Sequence, residues 1–151
     1  DLALISDSGT PLISDPGFKL VRDFIKKGFE VVSIPGPCAA ISALVTSGFP
    51  TDKFSFLGFL PKSGGERAKL LNNYGNLDST LIIYESPYRV EKLLKEIKEN
   101  LGERHVCLAG EITKIHEKIL RGNISLVLEA VSGKKLKGEY VVLVGKEDFS
   151  L

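Results

Sequence analysis

Hydrophobic and polar positions follow two rhythms along this chain of 151 residues. Leu2-Ala3-Leu4-Ile5 is an unbroken apolar run, the pattern of a strand buried on both faces. Residues 16–27 follow the 3.6 period instead. Phe18, Val21, Phe24 and Ile25 share one face, with Lys19, Arg22, Asp23 and Lys26 on the other. Pro16 suits a first helical turn, Ser14 or Asp15 a cap, and Gly28 a stop. A short β-branched strand follows at 30–34. Strand, helix and strand in so short a span predict a βαβ unit with parallel strands. A helix of small residues is predicted over 38–47, and a strand over 54–59. A short helix over 66–74 is expected to leave Arg67 and Lys69 exposed. Thr80 to Tyr84 reads as a buried strand. The strongest periodicity comes next: Val90, Leu93, Leu94, Ile97 and Leu101 mark one face of a helix over 87–100, capped by Ser86, opened by Pro87 and stopped by Gly102. Strands are predicted at 105–109, 117–121 and 139–145. Asn123 is placed to cap a short helix ending at Val131, and 134–137 reads as an exposed turn. The fold class is therefore α/β.

The punctuation between these elements narrows the picture. The first run breaks into Ser6-Asp7-Ser8-Gly9-Thr10-Pro11, and the strand over 30–34 ends at Pro35-Gly36-Pro37-Cys38-Ala39-Ala40. Open α/β sheets bind ligands beyond the carboxyl ends of their strands. Two Gly/Pro loops delivered to one sheet edge are a stronger signal than either alone. Close helix packing would account for the small residues equally well. Gly48-Phe49-Pro50-Thr51-Asp52 interrupts the pattern and marks a domain boundary, giving domains over 1–49 and 50–151. Two further strand-end loops follow it, Tyr84 to Arg89 and Glu111 to Lys114. Clefts between domains favour small-molecule sites.

Composition changes this little. A net charge of +1, evenly spread, gives no basic footprint for general nucleic-acid binding. Lys62, Arg67 and Lys69 read as a solvated face, with phosphate contact as the less favoured alternative. No apolar run approaches the ~20 residues that span a bilayer. Cys38 and Cys107 have no metal-ligand spacing and read as buried, reduced thiols. His105 and His116 lack partners at metal spacing, so no metal site is expected. Phosphate-loop, dinucleotide-fingerprint and nucleophile-elbow motifs are absent. A chain opening with Asp1 directly before a core-strand pattern reads as a fragment of a larger protein, with its first domain truncated at the amino end.

Ser6-Asp7-Ser8-Gly9-Thr10-Pro11 with Ser14-Asp15-Pro16-Gly17 resembles the signature of the RNA-methylating branch of the tetrapyrrole methylase family. Ser8 stands where that branch usually has Ala. The resemblance continues through Pro35 to Ala40, with Cys38 in place of a Ser. It includes Gly58-Phe59-Leu60-Pro61-Lys62 and Tyr84-Glu85-Ser86-Pro87-Tyr88-Arg89, where Tyr88 replaces a His. Glu111-Ile112-Thr113-Lys114 and Glu117 complete it.

The resemblance implies two α/β domains of the tetrapyrrole methylase type, with S-adenosylmethionine as cofactor in the cleft between them. The residues implied to bind it are Asp7, Ser8, Gly9, Thr10, Pro11, Pro35, Gly36, Cys38, Ala39, Tyr84 and Glu85. Glu85, Arg89, Glu111 and Lys114 are the catalytic candidates, and the sequence does not choose among them. The implied reaction is 2′-O-ribose methylation of a cytidine in the RNA of the small ribosomal subunit, by a cytoplasmic homodimer. The fragment alone is expected to be inactive. Alternatives are a corrin or porphyrin-precursor methyltransferase, disfavoured because those relatives usually carry Gly-Asp-Pro at the first strand end, and a non-catalytic module that binds donor or RNA.

Overall fold

The computed structural model describes residues 2–151. It divides into two compact units, 1–39 and 40–151. The division falls earlier than the domain boundary read at Gly48 to Asp52, because the helix of small residues packs with the larger unit.

The smaller unit holds one helix, α1 (Phe18–Lys26). The two strands expected at 2–5 and 30–34 are absent, and with them the βαβ unit. These segments are extended chain outside any ladder. Ile5 is 85% exposed and Ile34 81%. Two short strands make a stable sheet only with further neighbours and cover on both faces, and 39 residues with one helix supply neither. The expected cap is also absent: Gly17 precedes α1, and no side chain bonds its first turn. Its far end is as expected, with Gly28 at φ 79° after Lys27.

The larger unit is a five-stranded mixed sheet flanked by helices. Its elements are α2 (Ala39–Ser47), which begins at the division, β1 (Phe54–Phe59), α3 (Gly64–Gly75), β2 (Thr80–Glu85), α4 (Val90–Leu101), β3 (His105–Gly110), β4 (Lys118–Asn123), α5 (Ile124–Val131) and β5 (Tyr140–Val144). The strand order is β1-β2-β5-β3-β4. β1 is parallel to β2, while β5 is antiparallel to both β2 and β3. β1, β2 and β3 therefore point the same way, and their carboxyl ends share one edge.

All five residues of β5 are buried, as a central strand covered on both faces requires. One face carries the main core: Leu81, Ile83, Val106, Leu108, Val142 and Val144 meet Leu71 of α3, Val90, Leu93, Leu94 and Ile97 of α4, and Ile124, Val127 and Val131 of α5. The α4 residues are those that the helical period singled out. α2 serves the opposite face. Its first-turn amide at Ala40 donates to the Tyr84 hydroxyl, and Arg121 of β4 donates to the carbonyls of Thr46 and Ser47 at its end. Such a cation at a helix carboxyl terminus satisfies carbonyls that have no intrahelical partner.

Three local expectations are corrected. α4 starts at Val90, not Pro87, because Ser86 to Arg89 form a turn closed by the Arg89 amide on the Ser86 carbonyl (3.0 Å). Arg67 is 4% exposed rather than solvated. Its guanidinium donates to both carboxylate oxygens of Glu96, at 2.7 and 2.5 Å, and to the carbonyls of Pro61 and Lys62. A planar fork suits that bidentate pairing, and it leaves no free group for phosphate. Cys38 is half-buried, whereas Cys107 is fully buried, with its thiol pushed up to about 11 by desolvation. Asn123 does precede α5, without a side-chain bond to it.

Candidate functional site

In the smaller unit the two Gly/Pro loops meet. The Thr10 hydroxyl donates to the Pro37 carbonyl at 2.9 Å, which ties 6–11 to 35–39 across 27 residues of chain. Ser6 shapes the first loop by donating to the carbonyls of Ser8 and Gly9. Gly9 sits at φ 73°, a backbone conformation that costs glycine little and a β-branched residue much. A cleft of about 360 Å³ is lined by Leu4, Ile5, Ser6, Asp7, Asp15, Pro16 and Gly17, so of the candidate donor residues only Asp7 reaches it. That volume lies in the range of small-molecule pockets. The wall combines two carboxylates and a hydroxyl with apolar side chains. Such a set offers hydrogen-bond acceptors to an amine or a hydroxyl.

In the larger unit the sheet register places the other candidates in one row. Glu85 pairs with Tyr140, Tyr140 with Gly110, and Gly110 with Lys118. The turns that begin at Glu85 and Gly110 therefore leave the same edge, two strand spacings apart, about 10 Å. Tyr84 lies one residue back, on the α2 face. Phe56 and Phe59 pack edge-on against its ring at 4.9 and 5.6 Å between centroids.

The two carboxylates of this row have different duties. Glu85 is 2% exposed. Its carboxylate accepts the Ser86 amide at 2.7 Å and Arg89 Nε at 2.8 Å, just before the first turn of α4. The helix dipole favours an anion there, and the pair fixes the Ser86 to Arg89 turn. Both charged groups of this pair are thus engaged with each other.

Glu111 is half-buried, and its carboxylate accepts Lys114 Nζ at 3.0 Å. This hydrogen bond is the main reason that the Glu111 carboxyl lies below, and the Lys114 ammonium above, its ordinary range. Both are ionised at neutral pH. Their turn is strained: Glu111 and Thr113 have φ of 51° and 65°. Non-glycine residues hold such angles only where surroundings enforce them. Here the Glu111 amide donates to the Glu139 carbonyl, the Thr113 amide to the Glu117 carboxylate at 2.6 Å, and the Glu117 amide to the Lys114 carbonyl. Gly138, at φ 77°, closes the cradle, since a Cβ there would overlap the Glu111 carboxyl. Burial, and after it the charge of Glu111, raises the Tyr140 hydroxyl above its ordinary range.

Sequence reasoning missed Gly138 and Tyr140 as neighbours of Glu111. Their signal is only the register of β5 against β3. Among the described residues there is no cluster able to hold a metal ion, and no helix is long and apolar enough to cross a membrane.

The family model for Tetrapyrrole (Corrin/Porphyrin) Methylases matches residues 1–127. A protein of Halalkalibacterium halodurans named ribosomal RNA small subunit methyltransferase I is 43% identical over 95% of this chain, which covers 50% of that protein. A namesake from Thermotoga maritima is 44% identical over 97% of this chain and 66% of its own length. One from Pasteurella multocida is 47% identical, over 95% and 52%. The chain thus spans from half to two thirds of these relatives. Among solved structures, the methyltransferase CobJ is similar with a TM-score of 0.66 and 21% identity, over 93% of this chain and 62% of that one. Uroporphyrin-III C-methyltransferase from Thermus thermophilus, complexed with S-adenosyl homocysteine, has a TM-score of 0.59 at 16% identity, over 92% and 63%. Identities this low speak for the fold alone.

Proposed function

We propose a function from one premise: the chain belongs to the tetrapyrrole methylase family. The reading is that it forms part of an S-adenosylmethionine-dependent methyltransferase acting on the RNA of the small ribosomal subunit, at the 2′-hydroxyl of a cytidine. The whole enzyme works in the cytoplasm as a homodimer of subunits with two α/β domains. The observation that carries the reading is the Thr10–Pro37 tie, which makes one site of two loops that resemble the donor loops of RNA-methylating relatives. The names and identities of those relatives favour an RNA substrate over a tetrapyrrole.

In this reading Asp7, Ser8, Gly9, Thr10 and Pro11, with Pro35, Gly36, Cys38 and Ala39, hold the donor. The donor, when bound, supplies an electrophilic methyl group on a sulfonium, so no protein nucleophile is required. The protein's task is to align the acceptor oxygen with that methyl and to exclude water. A ribose hydroxyl attacks well only as it loses its proton. Both carboxylate candidates are ion-paired, Glu85 with Arg89 and Glu111 with Lys114, but the Glu85 side chain is 2% exposed and the Glu111 side chain 23%, so Glu85 and Arg89 act by positioning. Glu111 is the carboxylate able to take the proton, and Lys114, held protonated, offsets negative charge building on the oxygen.

The even charge distribution predicts recognition of assembled ribosomal shape, not of RNA charge alone. The test is methyl transfer by the full-length protein to undermethylated small subunits and to the same RNA stripped of protein. The expected result is a ribose-methylated cytidine, formed faster on subunits. Equal rates would remove the shape argument, and a labelled base or a methylated tetrapyrrole would overturn the assignment.

A further inference from the structure

Tyr88 is 87% exposed, the most exposed aromatic side chain among the described residues. A single exposed aromatic is ordinary on a protein surface. This one differs in its mounting. It follows Pro87, whose φ is fixed, in a turn closed by the Arg89 amide on the Ser86 carbonyl. The turn is anchored from below by buried Glu85, which accepts from Ser86 and Arg89 on either side of Tyr88. The backbone that carries the ring is therefore held in place by its own turn. It stands at the sheet edge shared by the Glu111–Lys114 turn, whose launching residue Gly110 lies in the same row as Glu85.

We propose that Tyr88 is a stacking platform for a base of the RNA substrate, either the target nucleotide or its immediate neighbour. The inference rests on the proposed function and adds a residue to it. Unstacked bases in single-stranded RNA are gripped by aromatic faces, and the turn that carries Glu111 and Lys114 leaves the same sheet edge. The reading also fits a chain with a net charge of only +1, because stacking supplies affinity that does not depend on charge. A protein–protein contact through the same ring is the competing reading.

The experiment uses the full-length protein with undermethylated small subunits as the probe. Steady-state methyl transfer is measured for the unaltered protein, Tyr88→Ala, Tyr88→Phe and Tyr88→His, with donor affinity and sedimentation alongside. Tyr88→Ala is expected to raise KM for subunits about tenfold, within the range that base stacking supplies. Donor affinity and the dependence of binding on salt should not change, because no phosphate contact is lost. Phe and His should restore most of the KM, since each offers a flat ring. An unchanged KM in Tyr88→Ala, or a rise that Phe and His fail to reverse, would overturn the proposal. A change in oligomeric state that tracks the rise in KM would assign the ring to a protein contact and overturn it as well. Failure of the unaltered protein to methylate subunits would instead sink the proposed function, and would be seen before any substitution is made.

Discussion

The two units of this chain solve the same problem unequally. Residues 40–151 bury a continuous core on a five-stranded sheet, with Ile83, Leu94, Ile97 and Leu143 all at 0% exposure. Residues 1–39 carry apolar segments of similar strength, yet Leu2, Ile5, Val32 and Ile34 are each at least 67% exposed. The apolar face of α1 is no better covered, with Phe18 at 64% and Ile25 at 59%. Hydrophobic sequence becomes a core only where hydrogen-bonded neighbours and a covering layer exist. The smaller unit nevertheless holds the two tied loops. Its order is local and polar, through Thr10, Ser6 and the backbone, whereas order in the larger unit comes from packing.

Mutation should sharpen this contrast. Ile83→Ala in β2 is expected to cost about 4 kcal/mol of unfolding free energy, as cavity formation in a tight core does. Ile34→Ala should stay within about 0.5 kcal/mol, because an exposed side chain leaves no cavity. Denaturant titration of both variants checks the pair, and equal losses would break the comparison.

Next in size is Arg67→Ala. Removing one partner of a buried ion pair strands the other, and a loss of about 3 kcal/mol is expected. Glu96 retains 17% exposure, which places the effect at the lower end of such losses. The same titration on Arg67→Ala and Glu96→Gln measures it. A loss below about 1 kcal/mol would show that the pair is a surface feature.

Arg67 also shows why part of the molecule was not legible in sequence. Helical spacing put Val90, Leu93, Leu94 and Ile97 on one face, and they are buried together. Nothing local reveals that Arg67 has a partner 29 residues away, so a solvated face was the natural reading. The strands at 2–5 and 30–34 were misread for the opposite reason: their composition suits strands, but pairing is not a property of composition. Gly and Pro spacing marked both loops of the smaller unit, which a Thr10–Pro37 hydrogen bond joins. The distinct surroundings of Glu85, buried against Arg89, and of Glu111, half-buried against Lys114, are not conveyed by any spacing.

In the smaller unit, Gly9→Val should weaken S-adenosylmethionine binding about tenfold, because a β-branched residue resists φ near 73° and would reshape the loop. Calorimetry on the full-length protein reads this, with circular dichroism confirming that the variant is folded. Unchanged affinity would show that this loop does not hold the donor.

The smallest effect belongs to Asp78, whose exposed carboxylate accepts Lys146 at 2.6 Å and Lys53 at 2.7 Å. These hydrogen bonds hold its carboxyl down at about 2. A depressed carboxylate contributes stability above its unfolded value, near 4, and loses it as pH falls towards 2. The contribution should be slight and weakened by salt, as for other exposed pairs. Thermal melts of Asp78→Asn and the parent should differ a little at pH 7 and coincide near pH 2. A gap that persists at pH 2 would assign the effect to something other than ionisation.

The central claim is that the loops joined by Thr10 and Pro37 form the methyl-donor site. Ultraviolet cross-linking of radiolabelled S-adenosylmethionine to the full-length protein, followed by peptide mapping, tests it most directly. The account predicts label in the peptides carrying residues 6–11 and 35–39, competed away by unlabelled S-adenosylhomocysteine. Competable label confined to other peptides would contradict it.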